Sequence, residues 1–577
     1  MSRLAKVSSV VLICRISAPI SWVGIAMCFI ELCERASYYG CQFIFQNFVR
    51  GKLPVGGNGA GAVAPGAAGV DQSAGALGLG SVKASAIASM FTFLSYVIPI
   101  LGAIVADTKW GRFKTICVGT AIGVIAHFLL VIPAIPSVIP TPAAFPLFVV
   151  FLVCLAFAAG FIKPSLAPLL CDQSPVKVPT ISYTKKGEKV IIDPQATVQR
   201  YLLIFYWCIN VGSIFGLATT YSERFVGFWL AFLEPGILYA LSPIVLFWCA
   251  KRLYKAPPQG SVFLETCYVF KAAFSNGNWK RMFKRNRDGT SFWDVAKPSY
   301  IHERDGTLDN TKVFWDDKFV DEIKDSIKAC QVFFIIPIFI LADGGIGAME
   351  NAMSAGMRLD GAPNDVMNNF NSILIIIAVP IITYGLYPFF EKIGRPIKPM
   401  TRIFIGFQLG TINMIAGAIM QWKVYQTSPC GYYASDCKEG VSSVSLWWQL
   451  ILYGVPAIGE IFVHVTAYEL AYTRAPARMK GLVYAIGLFP SAIAAAISLA
   501  CSAAITDPYL IWPYVALAVA SFLTAFIFPT YFRHLNEPMT HFQDAKREAG
   551  LYQPNYVKRE ESLYAPAGED VEAKDRL

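Results

Sequence analysis

The stretch ELCERASYYG, residues 31–40, carries charged side chains inside a long apolar run. Two carboxylates, a guanidinium and a phenol follow the spacing i, i+3, i+4 and i+7, which places them on one helix face: Glu31, Glu34, Arg35 and Tyr38. An ionised side chain at mid-membrane costs roughly 2.5–3.5 kcal/mol on insertion scales, so residues kept there are candidates for function. Two carboxylates around one guanidinium can retain one exchangeable proton. The stripe therefore predicts a surface that binds a ligand and that accepts and releases a proton.

A buried ion network that only fixes helix packing is the alternative explanation of this stripe. The phenol of Tyr38 and that of the adjacent Tyr39 speak against it. Phe would pack as well at both positions if packing were the only purpose. We therefore favour a functional role for the stripe.

A lysine lies within a second apolar stretch, AAGFIKPSLAPLL, where Lys163 precedes Pro164. The proline removes a backbone donor and is expected to open the helix near the carbonyl of Gly160. A lysine beside such a break faces protein or water rather than lipid. The alternative is that its long side chain reaches the inner interface of the membrane. We favour a binding role, since lysine supplies a compact positive charge.

Two isolated carboxylates occupy later apolar stretches. Glu460 lies in GVPAIGEIFVHV with His464 one turn further on, and Asp343 lies in FILADGGIGAME with Glu350 two turns further on. A single histidine in such a stretch is usually a packing residue, so Glu460 and Asp343 are the stronger candidates. With the arginine and lysine above, they predict a polar cavity that suits a ligand with both a carboxylate and an ammonium group.

The composition places the chain in the integral membrane class. Of its 577 residues, 55% are hydrophobic and 15% are charged, whereas a soluble protein has about 25% charged residues. The net charge of +10 does not indicate nucleic acid as a partner, because the basic residues lie in short loops between apolar stretches. The sequence contains no nucleotide-binding loop and no metal or hydrolase constellation. We therefore expect no cofactor, no enzymatic activity, and an ion gradient as the energy source.

Apolar stretches long enough to cross a bilayer as helices recur along the chain, since one crossing takes about 20 residues. They lie at roughly 18–48, 85–106, 113–133, 146–170, 199–220, 228–250, 329–356, 370–390, 401–422, 445–472, 481–504 and 510–532. The predicted fold is an all-α integral membrane protein of about twelve transmembrane helices in two six-helix halves, a layout that resembles the major facilitator architecture. Its segments are an N-terminal segment 1–17, a first half 18–250, a connector 251–328, a second half 329–532 and a tail 533–577.

Two segments outside the apolar stretches also carry a prediction. The connector ends in VFWDDKFVDEIKDSIKA, in which Phe319, Ile323 and Ile327 share one helical face. We expect this amphipathic helix to lie on the inner membrane surface. The low-complexity segment 51–80 is expected to form a flexible outer loop without a function of its own.

Lys and Arg concentrate in the loops on one side of the predicted bundle, which places that side and both termini in the cytoplasm. The opposite side then carries Cys430 and Cys437, which flank the polar loop SPCGYYASDCKEG. An oxidising compartment favours a disulfide between these two cysteines. We expect a multi-pass protein of the plasma membrane, and the sequence leaves its oligomeric state open.

The stretch ELCERASYYG resembles the first-helix motif E-x-x-E-R-[FY]-x-Y-Y-G of the proton-coupled oligopeptide transporter family, and Ala36 departs from it. Four further blocks are similar to motifs of that family, in the same order: GAIVADTKWGRFKTI at 102–116, GFIKPSLAPLLCDQ, FYWCINVGSI at 205–214, and the run from Glu460 through YELAYTRAPARMK. The resemblance spans about residues 20–532, and the outer loops look most like those of fungal members.

The resemblance implies a secondary active transporter that imports di- and tripeptides by proton symport, with alternating access between two helix bundles. It implies that Arg35 and Lys163 hold the carboxylate of the peptide and that Glu460 holds its amino group. The residues that would bond the peptide backbone are Tyr38, Tyr39 and Asn210.

The resemblance also implies roles in coupling and gating. The acids of proton coupling would be Glu31, Glu34 and Asp343. The gating residues would be Lys163, Glu460, Asp107 and Arg112. Lys163 and Glu460 would form an ion pair in the inner gate when the site is empty.

Departures from the family pattern leave alternatives open. Gln42 stands where many members have a second arginine, and Gly344 stands where its acidic partner is expected, which puts that outer-gate ion pair in question. Ile340 stands where many members have a tryptophan. A carrier of the same fold for nitrate, an amino acid or a peptide-like metabolite is therefore an alternative. A non-transporting nutrient receptor is another, although it would not need Glu31 or Glu34.

Overall fold

The computed structural model is a helical bundle, and it describes residues 15–176, 180–183, 189–192, 194–258, 260, 262–274, 291–306, 313–346, 349–395, 397–437, 439–467, 469–470 and 480–536. The predicted tail beyond residue 536 and most of the YELAYTRAPARMK motif lie outside the described residues.

The first half contains eight helices that make six crossings. They are α1 (Trp22–Arg50), α2 (Ser81–Val105), α3 (Arg112–Leu130), α4 (Ala144–Asp172), α5 (Pro194–Ser213), α6 (Gly216–Phe225), α7 (Phe228–Tyr239) and α8 (Leu241–Cys249). The pair α5 and α6 forms one crossing, and the pair α7 and α8 forms another. Helix α1 begins at a capped end, where the Ser21 hydroxyl accepts a hydrogen bond from the Gly24 N–H at 3.1 Å.

The described residues of the connector form three α-helices, α9 (Val262–Phe274), α10 (Pro298–Asp305) and α11 (Asp317–Ala329). The predicted amphipathic helix is therefore present as α11. Its residues Phe319 and Ile323 are fully buried, in a cluster that includes Val269, Phe292 and Trp315 of the same connector. The apolar face of α11 is thus covered by protein and not by lipid, contrary to expectation.

The second half contains the helices α12 (Ile336–Gly344), α13 (Met349–Ser354), α14 (Asn368–Pro380), α15 (Tyr387–Lys392), α16 (Pro399–Thr427), α17 (Leu450–Glu460), α18 (Lys480–Ala500), α19 (Ile511–Ala525) and α20 (Ile527–Thr530). Among the described residues, eight helical stretches of the chain are long and apolar enough to cross a bilayer. Two shorter apolar helices lie in α14 and in the part of α18 from Ile486 to Ala500. With α1 and the pair α12 and α13, helices occupy all twelve of the apolar stretches predicted from the sequence.

A small sheet departs from the all-α prediction. Strand β1 (Arg15–Ile16) pairs in parallel with β3 (Lys189–Ile192), and β3 pairs antiparallel with β2 (Thr180–Tyr183). Strands of two to four residues are too short to produce an alternating pattern that a sequence analysis can detect. The sheet ties the segment before α1 to the loop between α4 and α5. We call the end of the bundle with this sheet and the connector the connector face, and the opposite end the loop face.

The loop between α1 and α2 is ordered, so the prediction of a flexible segment 51–80 is wrong. The Arg224 guanidinium of α6 donates hydrogen bonds to the carbonyls of Gly69, Val70 and Gln72 at 2.9, 2.8 and 2.7 Å. The loop also reaches the second half, where the Gly361 N–H donates to the Val70 carbonyl at 3.2 Å. A buried guanidinium that binds three carbonyls fixes a backbone whose own composition predicts no structure.

The seventh crossing is interrupted, although the sequence predicts one helix over 329–356. Helix α12 ends at Gly344, and Gly345 has a φ of 74°, a left-handed conformation that a side chain would disfavour. Helix α13 then begins at Met349. The break follows directly after Asp343, so this acid lies at the end of a regular helix.

Small residues allow the site-bearing helices of the first half to approach closely. A Cβ on Gly160 of α4 would lie 2.4 Å from the Ile98 side chain of α2, and a Cβ on Gly102 would lie 2.4 Å from the Gly160 carbonyl. A Cβ on Gly212 of α5 would lie 2.9 Å from Arg35 Cβ. Glycine at crossings is a recurrent means of bringing membrane helices together. Here it brings α4 against α2, and α5 against the ion-bearing face of α1.

The variant Gly160→Leu should destabilise the protein, because its side chain would overlap Ile98. Overpacking of this kind typically costs about 1–3 kcal/mol. Thermal unfolding of the purified protein in detergent should show a lower Tm. The matched control is Gly385→Leu, since a Cβ there meets nothing within 4 Å. Equal Tm values for the two variants would contradict the close crossing of α2 and α4.

Candidate functional site

The charged stripe of α1 forms a compact ion cluster. Arg35 Nε donates a hydrogen bond to Glu31 Oε1 at 2.7 Å and lies 3.0 Å from Glu34 Oε2. The carboxylates of Glu31 and Glu34 are 1% and 3% exposed. Both oxygens of Glu34 lack a hydrogen-bond donor among the described residues. Glu34 is therefore the less satisfied of the two acids.

Lys163 lies next to this cluster, on α4, in an aromatic setting. Its Nζ is 4.0 Å from the centre of the Tyr38 ring and 4.8 Å from that of Tyr96. The Arg35 guanidinium is 5.9 Å from the same Tyr38 ring, so the two cations share one wall of the cavity. Nζ has no hydrogen-bond partner in the part of the chain that the structure describes. Ring faces attract a cation but do not replace its hydrogen bonds, so Lys163 can accept an anionic ligand.

The rings around Lys163 are positioned by a larger aromatic cluster. Tyr38 stacks on Phe91 of α2 with ring centres 5.2 Å apart, and it meets the adjacent Tyr39 edge-on at 5.2 Å. Phe91 in turn contacts Phe45 of α1 at 5.2 Å. Interlocking rings of this kind leave little rotational freedom. The phenol of Tyr38 is thus held at the cavity wall.

Glu460 supplies the negative charge of the second half. It is the last residue of α17, and a turn of π-helix, Ile461–Val465, follows it. The Asn371 side chain of α14 interacts with its carboxylate. Glu460 also lies within electrostatic range of Tyr39 and Tyr96 of the first half. The carboxylate therefore faces the cavity from the side opposite to the α1 cluster.

Asp343 belongs to the same region as Glu460. The two acids interact electrostatically, and Asp343 also interacts with Glu350 of α13. Asp343 Oδ1 lacks a hydrogen-bond donor within the described ranges, and so does Glu350 Oε1. The second half therefore holds three acids that interact with one another near the site.

The ion pair expected between Lys163 and Glu460 in an empty site is not formed in this conformation. Lys163 Nζ has no hydrogen-bond partner among the described residues, and its electrostatic partners are Arg35, Glu34 and Glu31. Contacts between the two halves lie elsewhere: Ser89 Oγ and Ser498 Oγ are 2.9 Å apart, and further bonds follow at the loop face. The halves meet at the opposite end in this conformation, so the pairing of Lys163 with Glu460 in the inner gate stays a prediction.

Other residues singled out in the sequence lie at or near the connector face. Arg112 Nη1 lies 2.5 Å from Asp172 Oδ2, so the start of α3 is paired to the end of α4. Asp107 lies in the π-helical turn Ala106–Trp110, and its carbonyl accepts a hydrogen bond from the Gly260 N–H at 3.2 Å. Both contacts are internal to the first half or join it to the connector. A role of Asp107 and Arg112 in gating remains a prediction.

Asn210 and the two cysteines complete the predicted set. Asn210 is buried on α5, and its Nδ2 donates to the Tyr206 carbonyl one turn earlier at 3.0 Å. The side-chain oxygen of Asn210 is left for other partners. At the loop face, Cys430 and Cys437 are joined by a disulfide.

Sequence reasoning missed several polar residues near the site. His127 of α3 is fully buried and forms a short hydrogen bond with Ser37 of α1, one residue before Tyr38. The ring of Tyr96 lies beside Lys163, and Tyr96 also interacts with Ser491 of α18 in the second half. A histidine inside the apolar run AIGVIAHFLLVI was a detectable signal. A tyrosine in such a run was not.

The site combines cations on the first half with acids on the second, which suits reversible binding of a zwitterion. Among the described residues, no group of three or more His, Cys, Asp or Glu side chains could hold a metal ion.

Comparison with solved structures finds the same helical architecture in known transporters. The crystal structure of the POT family transporter PepTSo has a TM-score of 0.66 at 19% identity and covers 90% of this chain and 99% of that one. The auto-inhibited POT family peptide transporter gives 0.62 at 21% identity, over 89% and 97%.

The fold and the divided site define a multi-pass membrane transporter of the major facilitator type. The family model described as PTR2, POT family, matches residues 113–516, and this protein belongs to the POT family. Peptide transporter PTR2 of Candida albicans is 39% identical over 531 residues, which are 91% of this chain and 84% of that protein. MFS-type transporter ucsM of Acremonium sp is 41% identical over 500 residues, 85% and 81% of the two chains. Peptide transporter PTR2 of Saccharomyces cerevisiae is 35% identical over 512 residues, 88% and 78%.

The variant Lys163→Met should raise the stability of the ligand-free protein, because it removes a buried ammonium that has no hydrogen-bond partner. Replacing buried ions by apolar side chains of similar size is often neutral or stabilising by about 1–4 kcal/mol. Thermal unfolding without ligand should give a higher Tm than for the wild type. The control is Lys114→Met, since Lys114 is exposed beside the Trp110 ring. A lower Tm for Lys163→Met would mean that the lysine is satisfied in the empty site.

Proposed function

We propose that this protein imports peptides of two and three residues across the plasma membrane by proton symport, with the loop face outside and both termini in the cytoplasm. The observation that carries the proposal is the division of charge across the cavity. Lys163 on the first half is a buried cation without a hydrogen-bond partner among the described residues, and Glu460 on the second half is a carboxylate. The relatives named as peptide transporters support the same cargo.

A bound peptide would connect the two halves through its termini. Its carboxylate supplies the hydrogen-bond acceptors that Lys163 lacks and lies near the Arg35 guanidinium, which suits bidentate binding. Its ammonium group meets Glu460. A ligand shifts a conformational equilibrium only through contacts that differ between the two states. A peptide held at both ends stabilises states in which the halves approach each other at the connector face, which supports alternating access.

Coupling to protons would follow from the arrangement around Arg35. With Glu31 and Glu34 both ionised, the guanidinium faces two negative charges. Protonation of Glu34, whose oxygens have no hydrogen-bond donor among the described residues, leaves one carboxylate against one guanidinium. The positive charge available to a peptide carboxylate then increases. Proton binding and peptide binding thus favour each other, and this reciprocity couples two solutes.

A carrier of the same type for a peptide-like metabolite is the second candidate. It is favoured by the 41% identity to MFS-type transporter ucsM, whose name specifies no peptide. Ile340 in place of the tryptophan of many family members is consistent with a different side-chain pocket. Uptake into proteoliposomes, with competition by di-, tri- and tetra-alanine, free alanine and nitrate, separates the two. Competition by di- and tri-alanine alone supports the peptide importer.

Acetylation of the substrate amino group should weaken binding to the wild type, because it removes the positive charge that Glu460 meets. The same acetylation should reduce the binding affinity much less in Glu460→Gln, since the partner of that charge is already lost. Binding of tri-alanine and N-acetyl-tri-alanine, measured by competition in proteoliposomes, gives the two ratios. The control is Glu439→Gln, an exposed acid of the loop face. If the ratio is the same in wild type and Glu460→Gln, the amine does not meet Glu460.

The variant Glu34→Gln should abolish uptake driven by a proton gradient, because a carboxamide cannot release a proton. Counterflow exchange of peptide, which needs no net proton movement, should largely survive. Both are measured in proteoliposomes with an imposed pH difference. Glu303→Gln, at an exposed position of the connector, should behave as the wild type. Uptake that runs equally well on a sodium gradient with the proton gradient collapsed would refute proton coupling.

A further inference from the structure

A seam of polar side chains joins the two halves at the loop face. Asn47 of α1 and Asn364, which precedes α14, exchange two amide hydrogen bonds at 2.8 Å each. Asn47 Nδ2 also donates to Glu223 Oε1 of α6 at 2.7 Å. These residues are buried, so the bonds form away from water and their partners are well defined.

Two carboxyl groups meet at the centre of this seam. Glu223 belongs to the first half and Asp365 to the second, both side chains are fully buried, and the two carboxyl groups interact with each other. Glu223 Oε2 and both oxygens of Asp365 receive no hydrogen bond from a protein donor among the described residues. Two ionised carboxylates in contact repel each other, and a hydrogen bond between them requires a proton. The closed seam therefore fits a proton shared by the pair.

Charged groups from every neighbouring element face this pair. They are Arg50 of α1, Arg224 of α6 and Tyr453 of α17, while Asp71 of the loop between α1 and α2 acts on Arg224. Arg224 is engaged by three loop carbonyls, and Arg50 Nη2 donates to Ser73 Oγ at 3.3 Å. Their positive charges favour ionised acids. Burial outweighs them at Asp365, which lies outside the crossings, and raises the pKa of its carboxyl group.

We propose that Glu223 and Asp365 form a proton-binding site that holds the loop face shut while the proton is bound. The site is separate from the acids of α1 and acts whatever the cargo is, so it goes beyond the function proposed above. The proton reaches this site from the loop face and returns there when the seam opens. It is therefore not a transported proton. It sets how readily the loop face closes at a given external pH.

The direction of the pH effect follows from linkage. The closed seam binds one more proton than the open one, in which each acid is hydrated and titrates near its ordinary pKa. Low pH therefore stabilises the closed loop face, and this stabilisation is lost as pH rises through the pKa of the pair in the closed state. For one proton the open-to-closed ratio rises by up to about tenfold per pH unit.

Hydrogen–deuterium exchange of the purified full chain without substrate tests the proposal between about pH 5 and about pH 9. Peptides that cover 69–72 and 359–366 report on the seam, after correction for the intrinsic pH dependence of exchange. Wild-type exchange in these peptides should increase with pH. In Glu223→Gln the carboxamide can accept from Asn47 and donate to Asp365 without a proton. Exchange there should stay low, and its pH dependence should fall below twofold over the range.

A matched control separates the proton site from an ordinary contact of the seam. Asp71 Oδ1 accepts hydrogen bonds from the N–H groups of Leu359 and Asp360 at 2.9 and 3.4 Å. Asp71→Asn should therefore weaken closure at every pH and leave the pH dependence intact. Should Glu223→Gln fail to fold, Asp365→Asn provides the same test.

An unchanged pH slope in Glu223→Gln or in Asp365→Asn, or a wild-type seam whose corrected exchange does not vary with pH, would overturn the proposal. No substrate is present in this experiment. Its failure therefore leaves the peptide cargo untouched, and a failure of peptide uptake leaves the proton site untouched.

Discussion

A charge withdrawn from water into a helical bundle needs a partner, and this constraint organises the whole cavity. Arg35 has its partners on its own helix, at i−4 and i−1, so α1 is nearly neutral as a unit. Lys163 receives only ring faces and the distant field of those acids. Among the described residues, the fold thus leaves Lys163 without a hydrogen-bond partner at one wall of the cavity. It places the carboxylate of Glu460 at the other wall. Removing an uncompensated charge would make the protein more stable, so we interpret the retained lysine as serving the ligand.

The two halves meet this constraint with different backbones. In the first half, glycines allow α2 to pack closely against α4, and α5 to pack closely against the ion-bearing face of α1. In the second half, the acids lie where regular helix ends: Asp343 precedes the break at Gly345, and Glu460 precedes a π-helical turn. Irregular backbone inside a membrane protein is tolerated where it lines a cavity. The division suggests a rigid half that presents cations and an adaptable half that brings acids to the ligand.

The transmembrane helices and the charged residues of the site could be predicted from the sequence, because both depend on local spacing. Glu31, Glu34 and Arg35 follow helical periodicity, and the structure places them together as that spacing requires. Lys163 was recognisable because a lysine inside an apolar run is costly. Neither argument extends to contacts between distant segments. The pairing of Asn47 with Asn364 joins residues 317 positions apart, and the ring of Tyr96 beside Lys163 depends on how α2 crosses α4. Composition was misleading at 51–80, since the carbonyls there are ordered by an arginine far along the chain.

The three hydrogen bonds from Arg224 to carbonyls of the loop between α1 and α2 make this loop part of the rigid first half. Its outward surface nevertheless adjoins the second half, where Asp71 and Val70 contact the backbone of 359–361. Residues 69–72 and 359–361 therefore form one continuous epitope in the closed state and two separated patches in the open state. An antibody fragment that requires both patches would recognise a single conformation. By binding it, the fragment would arrest the transport cycle from the loop face without entering the cavity.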